Sequence, residues 1–547
     1  MYISHPLIKA GILETRKYQE SIISKAAEKN VLCVLPTGLG KTPIAIVLTA
    51  KRLEAYPESK ILIAAPTRPL VNQHFKSFLE FLNFGEEGLV VVTGITSPEK
   101  RQEIYNQKKI IFATPQTIEN DLEEGRLNLK EFSLLVLDEV HHAIGDYAYP
   151  FVAKKYLEQA ANPKILGLTA SPGGDKGKID EICKNTGLEA VEIRTEEDQD
   201  VKPYIKEKEI EWLHIDFPEN FDSVRQILKS AYLSRIDTLR KMWLIKRKTA
   251  TKKELLALQN ALMVKIKSGN KNAFIGLSLV LPAIKIEHAI GLLETQGIPI
   301  LENYLKRIRE DKKSKYSMAL VNDKTFSNAM WLANRLFTDG YKHPKISKLC
   351  SIVNSEIRKN PDFKIIVFAS YRDTVSEICS ALSRIDGAKP IEFIGQSSRA
   401  GKKKIKEEKK EKPVSTDFQT ASSIPLNPEK KEAEIKDNDL SKGLSQKEQI
   451  QRLEDFKNGV YNILVCTSIG EEGLHVSTAD MAIFYEPVPS EIRQIQRRGR
   501  VGRSKIGKVI MLITKGTRDE AYYWSAVNKE KKMKGILYEM QREGTGF

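Results

Sequence analysis

The chain has 547 residues, a hydrophobic fraction of 41%, a charged fraction of 29% and a formal net charge of +16. Single cores stop growing near roughly 250–300 residues, so one domain is excluded and about three or four are suggested. The positive surplus points to a polyanionic partner, nucleic acid before a membrane surface; a lysine-rich solubilising surface is the plainer alternative.

Five scattered cysteines (Cys33, Cys183, Cys350, Cys379, Cys466) form no CxxC pair, which argues against a zinc ribbon. Three sit in apolar runs and read as reduced core residues of an intracellular protein. No apolar stretch is expected to reach the roughly 20 residues of a membrane span. The N-terminal MYISHPLIKAGILETRKYQ lacks a signal-peptide layout.

Residues 1–204 repeat one rhythm. The runs VLCVL, KILIAAP, LVVVTG, KIIFATP, LLVLDE and KILGLTAS alternate with helical stretches, the pattern of a parallel sheet buried on both faces. The first strand leads into LPTGLGKT, residues 35–42. After a strand, the backbone N–H groups of a Gly38-Leu39-Gly40 turn can converge on phosphate oxygens. A Cβ at the glycines would block that approach. Lys41 would then bridge the β- and γ-phosphates, and the Thr42 hydroxyl would ligate Mg²⁺. Leu35 stands where the strict GxxxxGK[ST] pattern has its first glycine, so a strand–turn–helix that merely contains GKT remains the alternative.

LLVLDEVHH strengthens the phosphate reading, because Asp138-Glu139 end an apolar strand. Parallel strands of one sheet finish on the same edge, within reach of the phosphate turn. Asp138 would hold Mg²⁺, and Glu139 would orient and deprotonate a water.

From 205 to 340 strand-like runs give way to helical periodicity, so a mainly helical domain is expected. Lys229, Arg235, Arg240, Lys241, Lys246, Arg247, Lys248, Lys252 and Lys253 are dense enough for a phosphate-binding face. Trp243 and Trp331 could stack on bases but are expected in the core.

The α/β rhythm returns over 341–547 in KIIVFAS, PIEFIG, NILVCTS, MAIFYEP and KVIMLIT. Residues 398–440 are charged and poor in aliphatic side chains, and disorder is expected there. In IRQIQRRGRVGR (492–503), glycines interrupt a basic run. Each costs a helix about 1 kcal/mol relative to Ala, so something must require them. Arg500 and Arg503 would reach the γ-phosphate from the second α/β unit as arginine fingers.

GLGKT, DEVHH, LTAS and QRRGRVGR, in this order on two α/β units, resemble a superfamily 2 helicase. RKYQ (16–19), APTRPLVNQH (65–74), TPQTIENDL (114–122), HHAIGDYAYP (141–150), GEEGL (470–474), FYEPVPS (484–490) and TKGTRDEAYYW (514–524) resemble the archaeal Hef helicases, relatives of the Fanconi-anaemia M-type translocases. The resemblance covers nearly the whole chain except 398–440. It implies an α/β protein with two RecA-like domains and a thumb-like helical domain between them.

It also implies site roles. Gln19, with Arg16 nearby, would recognise adenine, and Pro36, Thr37, Gly38, Leu39, Gly40, Lys41 and Thr42 would hold the phosphates. His141 would link the ATP site to the second unit, Gln496 would act near the γ-phosphate, and Thr169 and Ser171 would couple hydrolysis to closure. Thr67, Arg68, Thr93, Gly94, Thr114, Pro115, Ser370, Tyr371, Thr467 and Ser468 would follow one strand's backbone, and Lys246, Arg247 and Lys248 would grip duplex. Two departures bear on these roles: Val140 replaces Ala in the DEAH pattern, and His475 stands where Asp is common. Family members often carry an XPF-type nuclease. No ERK-containing acidic motif occurs here, so no cleavage by this polypeptide is expected.

The expected function is an ATP- and Mg²⁺-dependent DNA helicase or translocase that remodels forks and junctions, cytoplasmic and nucleoid-associated. A nuclease or sliding clamp is a possible partner, and no membrane is involved. A double-stranded-RNA-stimulated ATPase and a non-hydrolysing scaffold on branched DNA are the competing readings.

Overall fold

The computed structural model describes residues 2–14, 16–204, 209–270, 272–395, 444, 446–467, 479–487 and 507–543. Strand formation in the first unit follows from burial. β1 (Val31–Val34), β2 (Lys60–Ala64), β4 (Ile110–Ala113), β5 (Phe132–Asp138), β6 (Ile165–Thr169) and β7 (Ala190–Ile193) are buried at every position, and β3 (Leu89–Val92) at its two ends. Alternate residues serve opposite faces. Cys33, Ile63 and Val136 join one apolar cluster, while Leu32, Leu62 and Leu135 join the other. Such strands need helices on both sides. These are α1 (Lys17–Glu28), α2 (Lys41–Ala55), α3 (Arg68–Phe81), α4 (Pro98–Gln107), α5 (Pro115–Glu123), α6 (Ala148–Gln159) and α7 (Lys176–Thr186).

The sheet runs β3-β4-β2-β5-β6-β1-β7, and every pair is parallel. All strands therefore end on one edge, where ligands of such sheets gather.

A bundle follows: α8 (Glu219–Lys241), α9 (Lys252–Lys267), α10 (Ala273–Thr295), α11 (Ile298–Glu310), α12 (Lys315–Val321) and α13 (Lys324–Thr338). By length and composition α10 could cross a membrane, contrary to the expected absence of such a stretch. Here it is the bundle's central helix: Val280, Ala283, Ile286 and Leu293 are buried in the core. The two tryptophans also differ from expectation. Trp331 is 60% exposed, opposite the α13 face that buries Met330 and Ala333, and Trp243 is 93% exposed beyond the end of α8.

β8 (Glu209–Ile215), β9 (Ile365–Phe368), β10 (Pro390–Phe393), β11 (Ile463–Cys466), β12 (Met481–Phe484) and β13 (Lys508–Thr514) form a second parallel sheet, ordered β10-β11-β9-β12-β13-β8. Its helices are α14 (Pro344–Lys359), α15 (Arg372–Leu382), α16 (Gln446–Lys457) and α17 (Arg518–Glu543). β8 falls within the segment read as helical. It pairs with β13 along its whole length as an edge strand carrying Glu211 and the exposed Ile210 and His214, so it lacks the continuous apolar run of a central strand.

The three parts are tied together through α17. Arg518 meets Glu287 at 3.1 Å and Glu294 at 3.2 Å on α10. Lys345 and Asp519, both fully buried, pair at 2.5 Å. Burial pushes the Asp519 carboxyl above its ordinary range, and Lys345 opposes that shift. The far end of α17 leaves its own unit: Met533, Leu537 and Met540 complete the apolar cluster on one face of the first sheet. The Tyr538 hydroxyl lies 2.7 Å from Asp198, and Ile193 N–H donates to Gln541 at 3.2 Å.

Candidate nucleotide site and nucleic-acid edge

Between β1 and α2 the chain turns through two left-handed glycines, Gly38 (φ +96°) and Gly40 (φ +83°). A Cβ on Gly40 would be strained in this backbone and would have to displace the Gln19 amide, whose Nε2 would lie 2.3 Å from it. Gln19 donates to the Leu39 and Gly40 carbonyls at 3.2 and 3.3 Å, and Tyr18 donates to the Leu39 carbonyl at 2.7 Å. Arg16 in turn donates to Tyr18 at 3.1 Å. The RKYQ stretch thus braces the loop through its carbonyls, and Leu39 N–H closes the turn on the Pro36 carbonyl at 3.3 Å. Lys41 is buried and donates to the Leu35 carbonyl at 3.1 Å. Leu35 also donates its N–H to Thr169 at 3.1 Å, so the residue in place of the usual first glycine stitches the loop to β6. Cys33 lies just behind; burial pushes its thiol up to about 12, which makes it a packing group.

Asp138 ends β5 two strands away, since the order is β5-β6-β1. Its carboxylate is 2.8 Å from His74 Nε2 on α3, and its backbone carbonyl accepts from Tyr149 at 2.6 Å. Sequence reasoning passed over His74; its place in the quoted APTRPLVNQH, with a strand-ending acid elsewhere, was the available signal. Glu139 follows in left-handed backbone (φ +50°, ψ +48°). His141 Nδ1 lies 3.3 Å from Glu139 and 3.1 Å from Thr169 Oγ1. Thr169 Oγ1 accepts from Ser171 N–H at 3.2 Å, and Ser171 Oγ approaches Met533 Sδ of α17 at 3.0 Å. A continuous series of contacts therefore runs from Glu139 to the helix that arrives from the second unit.

The Thr42 hydroxyl and Asp138 carboxylate are hard oxygen donors of the kind Mg²⁺ takes, and they follow two strands that finish on one edge. No His/Cys/Asp/Glu cluster able to hold a metal by itself occurs among the described residues.

The other half of the edge carries the strand-contact candidates. Thr67 and Arg68 follow β2, Thr93 and Gly94 follow β3, and Thr114 and Pro115 follow β4. Arg68 is exposed, with its guanidinium near Gly94. Thr114 and Thr117 hydroxyls bond at 2.8 Å. Ile95, 73% exposed beside Gly94, is an apolar group on this edge that the sequence reading missed. In the second unit Ser370 and the exposed Tyr371 follow β9, and buried Thr467 follows β11. Lys246, Arg247 and Lys248 are exposed after α8. Ser468, His475, Gln496, Arg500, Arg503 and the 398–440 segment lie outside the described residues.

Residues 12–174 match the family model for the type III restriction enzyme res subunit, and 416–505 match the helicase conserved C-terminal domain. Residues 220–338 match a helical-bundle model whose description proposes an ATP-dependent RNA helicase. Among solved structures, the Pyrococcus furiosus Hef helicase domain is 40% identical with a TM-score of 0.70, covering 95% of this chain and all of that one. A Methanocaldococcus jannaschii relative, whose name proposes an ATP-dependent RNA helicase, is 42% identical over 99% of this chain and 63% of its own length. The ATP-dependent DNA helicase mph1 of Neurospora crassa is 30% identical over 97% of this chain and 43% of its own. The chain thus spans less than two thirds of these curated relatives.

Proposed function

The chain belongs to the Hef-type helicase family, and from that premise we propose that it is an ATP-dependent helicase or translocase that remodels branched DNA such as forks and junctions. The observation that carries this reading is the shared sheet edge. The ends of β1, β5 and β6 and the segments that follow them carry Lys41, Thr42, Asp138, Glu139 and Thr169, while the segments after β2, β3 and β4 carry the backbone-contact candidates on the same edge. A polyanion lying along one half would feel a change of state in the other.

In this reading the glycine turn and Lys41 bind the phosphates of ATP, and Thr42 and Asp138 hold Mg²⁺, which neutralises phosphate charge when bound. His74 keeps the Asp138 carboxylate aimed. Glu139 accepts the proton of the attacking water, and its left-handed backbone sets the carboxylate's direction. His141, Thr169 and Ser171 transmit the change to α17. Arg500, Arg503 and Gln496 would act on the γ-phosphate, as the family motif implies. The basic bundle surface, with Lys246, Arg247 and Lys248, holds duplex. A nuclease or clamp partner would act on the products.

The test is ATP turnover with fork DNA and with duplex RNA, titrated with salt because phosphate contacts are salt-dependent. Fork DNA should stimulate more at every salt concentration. Lys41→Ala and Glu139→Gln should lower turnover by at least about a hundredfold, in the range seen when a group acting on the transition state is removed, with DNA binding kept. Parental turnover in both variants would refute the site, and stronger stimulation by RNA would replace the substrate with the one named for the archaeal relative.

A further inference from the structure

The turn that ends α8 breaks a local rule. It is a Schellman motif: Trp243 N–H donates to the Arg240 carbonyl at 2.9 Å and Leu244 N–H to that of Leu239 at 3.0 Å. The residue just before Leu244 must take left-handed backbone, and Trp243 does so with φ +58°. Glycine is the usual occupant, because any Cβ there is disfavoured and a bulky side chain makes the position an outlier. Among the described residues only Glu139 and Trp243 are non-glycine residues with positive φ. The first sits at the candidate hydrolysis centre.

The Trp243 side chain is 93% exposed, so it gains little packing to offset this strain. The turn itself is firmly placed. Leu244 lies against the start of α10, where a Cβ on Gly276 would come within 2.8 Å of it. The indole is therefore held outward from an anchored base. Phe274 and Ile275, immediately before Gly276, are 46% and 57% exposed and extend the apolar tip. Exposed Lys246, Arg247 and Lys248 follow within five residues.

An outward aromatic plane next to exposed Lys246 and Lys248, with Arg247 3.7 Å from the exposed Glu254, suits a base with phosphates on either side better than an apolar protein surface. We propose that Trp243 is the residue that stacks on the exposed base or terminal base pair where duplex DNA opens at a branch, while Lys246, Arg247 and Lys248 hold the neighbouring phosphates. The inference rests on the branched-DNA reading above and adds the group that recognises the branch.

The test uses the full chain, a DNA fork with 2-aminopurine at the branch point, the same fork labelled mid-duplex, and the matching RNA fork. Parental protein should quench the branch label and not the mid-duplex one. Trp243→Gly suits the turn, so it should melt at or above the parental temperature and keep single-strand-stimulated ATP turnover. It should also lose branch quenching and bind and unwind DNA forks about ten- to a hundredfold more weakly, the span expected for one lost stacking contact. Trp243→Phe should restore most of both. Parental fork unwinding with intact quenching in Trp243→Gly overturns this proposal and leaves the helicase reading standing. Stronger quenching on the RNA fork overturns the DNA assignment. A parental protein that DNA forks do not stimulate at all overturns the proposed function, and this inference with it.

Discussion

Glu139 holds a backbone conformation that few non-glycine residues adopt, and this tells more about it than its place in DEVHH. Such strain costs about 1–3 kcal/mol and persists where surrounding structure enforces it. Tyr149 fixes the Asp138 carbonyl and His141 stands over the Glu139 carboxylate, so both neighbours of that peptide are tied down. The motif was legible in the sequence; the strain and the His74 support were not, because they depend on which helix packs against the strand end. His288, on α10, shows the same dependence. Burial pulls its imidazole down to about 4, and it packs edge-on against Tyr304. It is therefore neutral in the folded chain, whereas an unfolded histidine protonates near 6.5. Between those two values the unfolded state binds more protons. Stability should accordingly be full above about pH 6.5 and fall by up to roughly 3 kcal/mol as pH drops toward 4. His288→Leu should flatten that limb in calorimetric melts at pH 7 and 4.5, and an unchanged slope would mean that other groups carry it.

α17 is the element whose role the sequence concealed most. Its 26 residues carry only a weak apolar stripe, which gives no sign of a second partner. In the structure its first turn supplies Arg518 to partly buried ion pairs with α10 and Asp519 to a fully buried one with α14, and its last turns supply Met533, Leu537 and Met540 to the first sheet. A single helix thus touches all three parts. Leu537 is fully buried, so Leu537→Ala should cost about 2–5 kcal/mol of docking. Hydrogen exchange should show lost protection over residues 530–543 and over the β7 edge, with β9–β12 unchanged. Uniform loss across both sheets would instead mean that α17 is only part of a global fold. β8 makes a similar point: seven residues of mixed polarity become a strand because β13 offers an edge.

At the scale of the whole molecule, two covered sheets meet a basic bundle, and one line of contact between the units runs from the candidate site through Thr169, Ser171 and Met533. Thr169→Val keeps the volume and removes the hydroxyl that both His141 and Ser171 use. Basal ATP turnover should change by less than about threefold, while the stimulation ratio by fork DNA should fall at least about tenfold, the scale of one lost hydrogen-bonding link. Measuring both on one preparation separates coupling from chemistry, and a proportional fall in both would place Thr169 in the chemical step alone.

The sequence by itself determined the two α/β units, the helical stretch between them, the glycine turn with Lys41 and the strand-ending Asp138-Glu139. Each of these is written in local periodicity or in contiguous residues whose spacing is set by backbone geometry. Only the tertiary structure decided that α17 crosses to the first sheet, that α10 packs at the core of the bundle, that His74 supports Asp138, and that Trp243 stands in water where a core residue was expected. Those outcomes depend on which apolar faces find one another across tens or hundreds of residues, and a chain read in order does not contain that pairing.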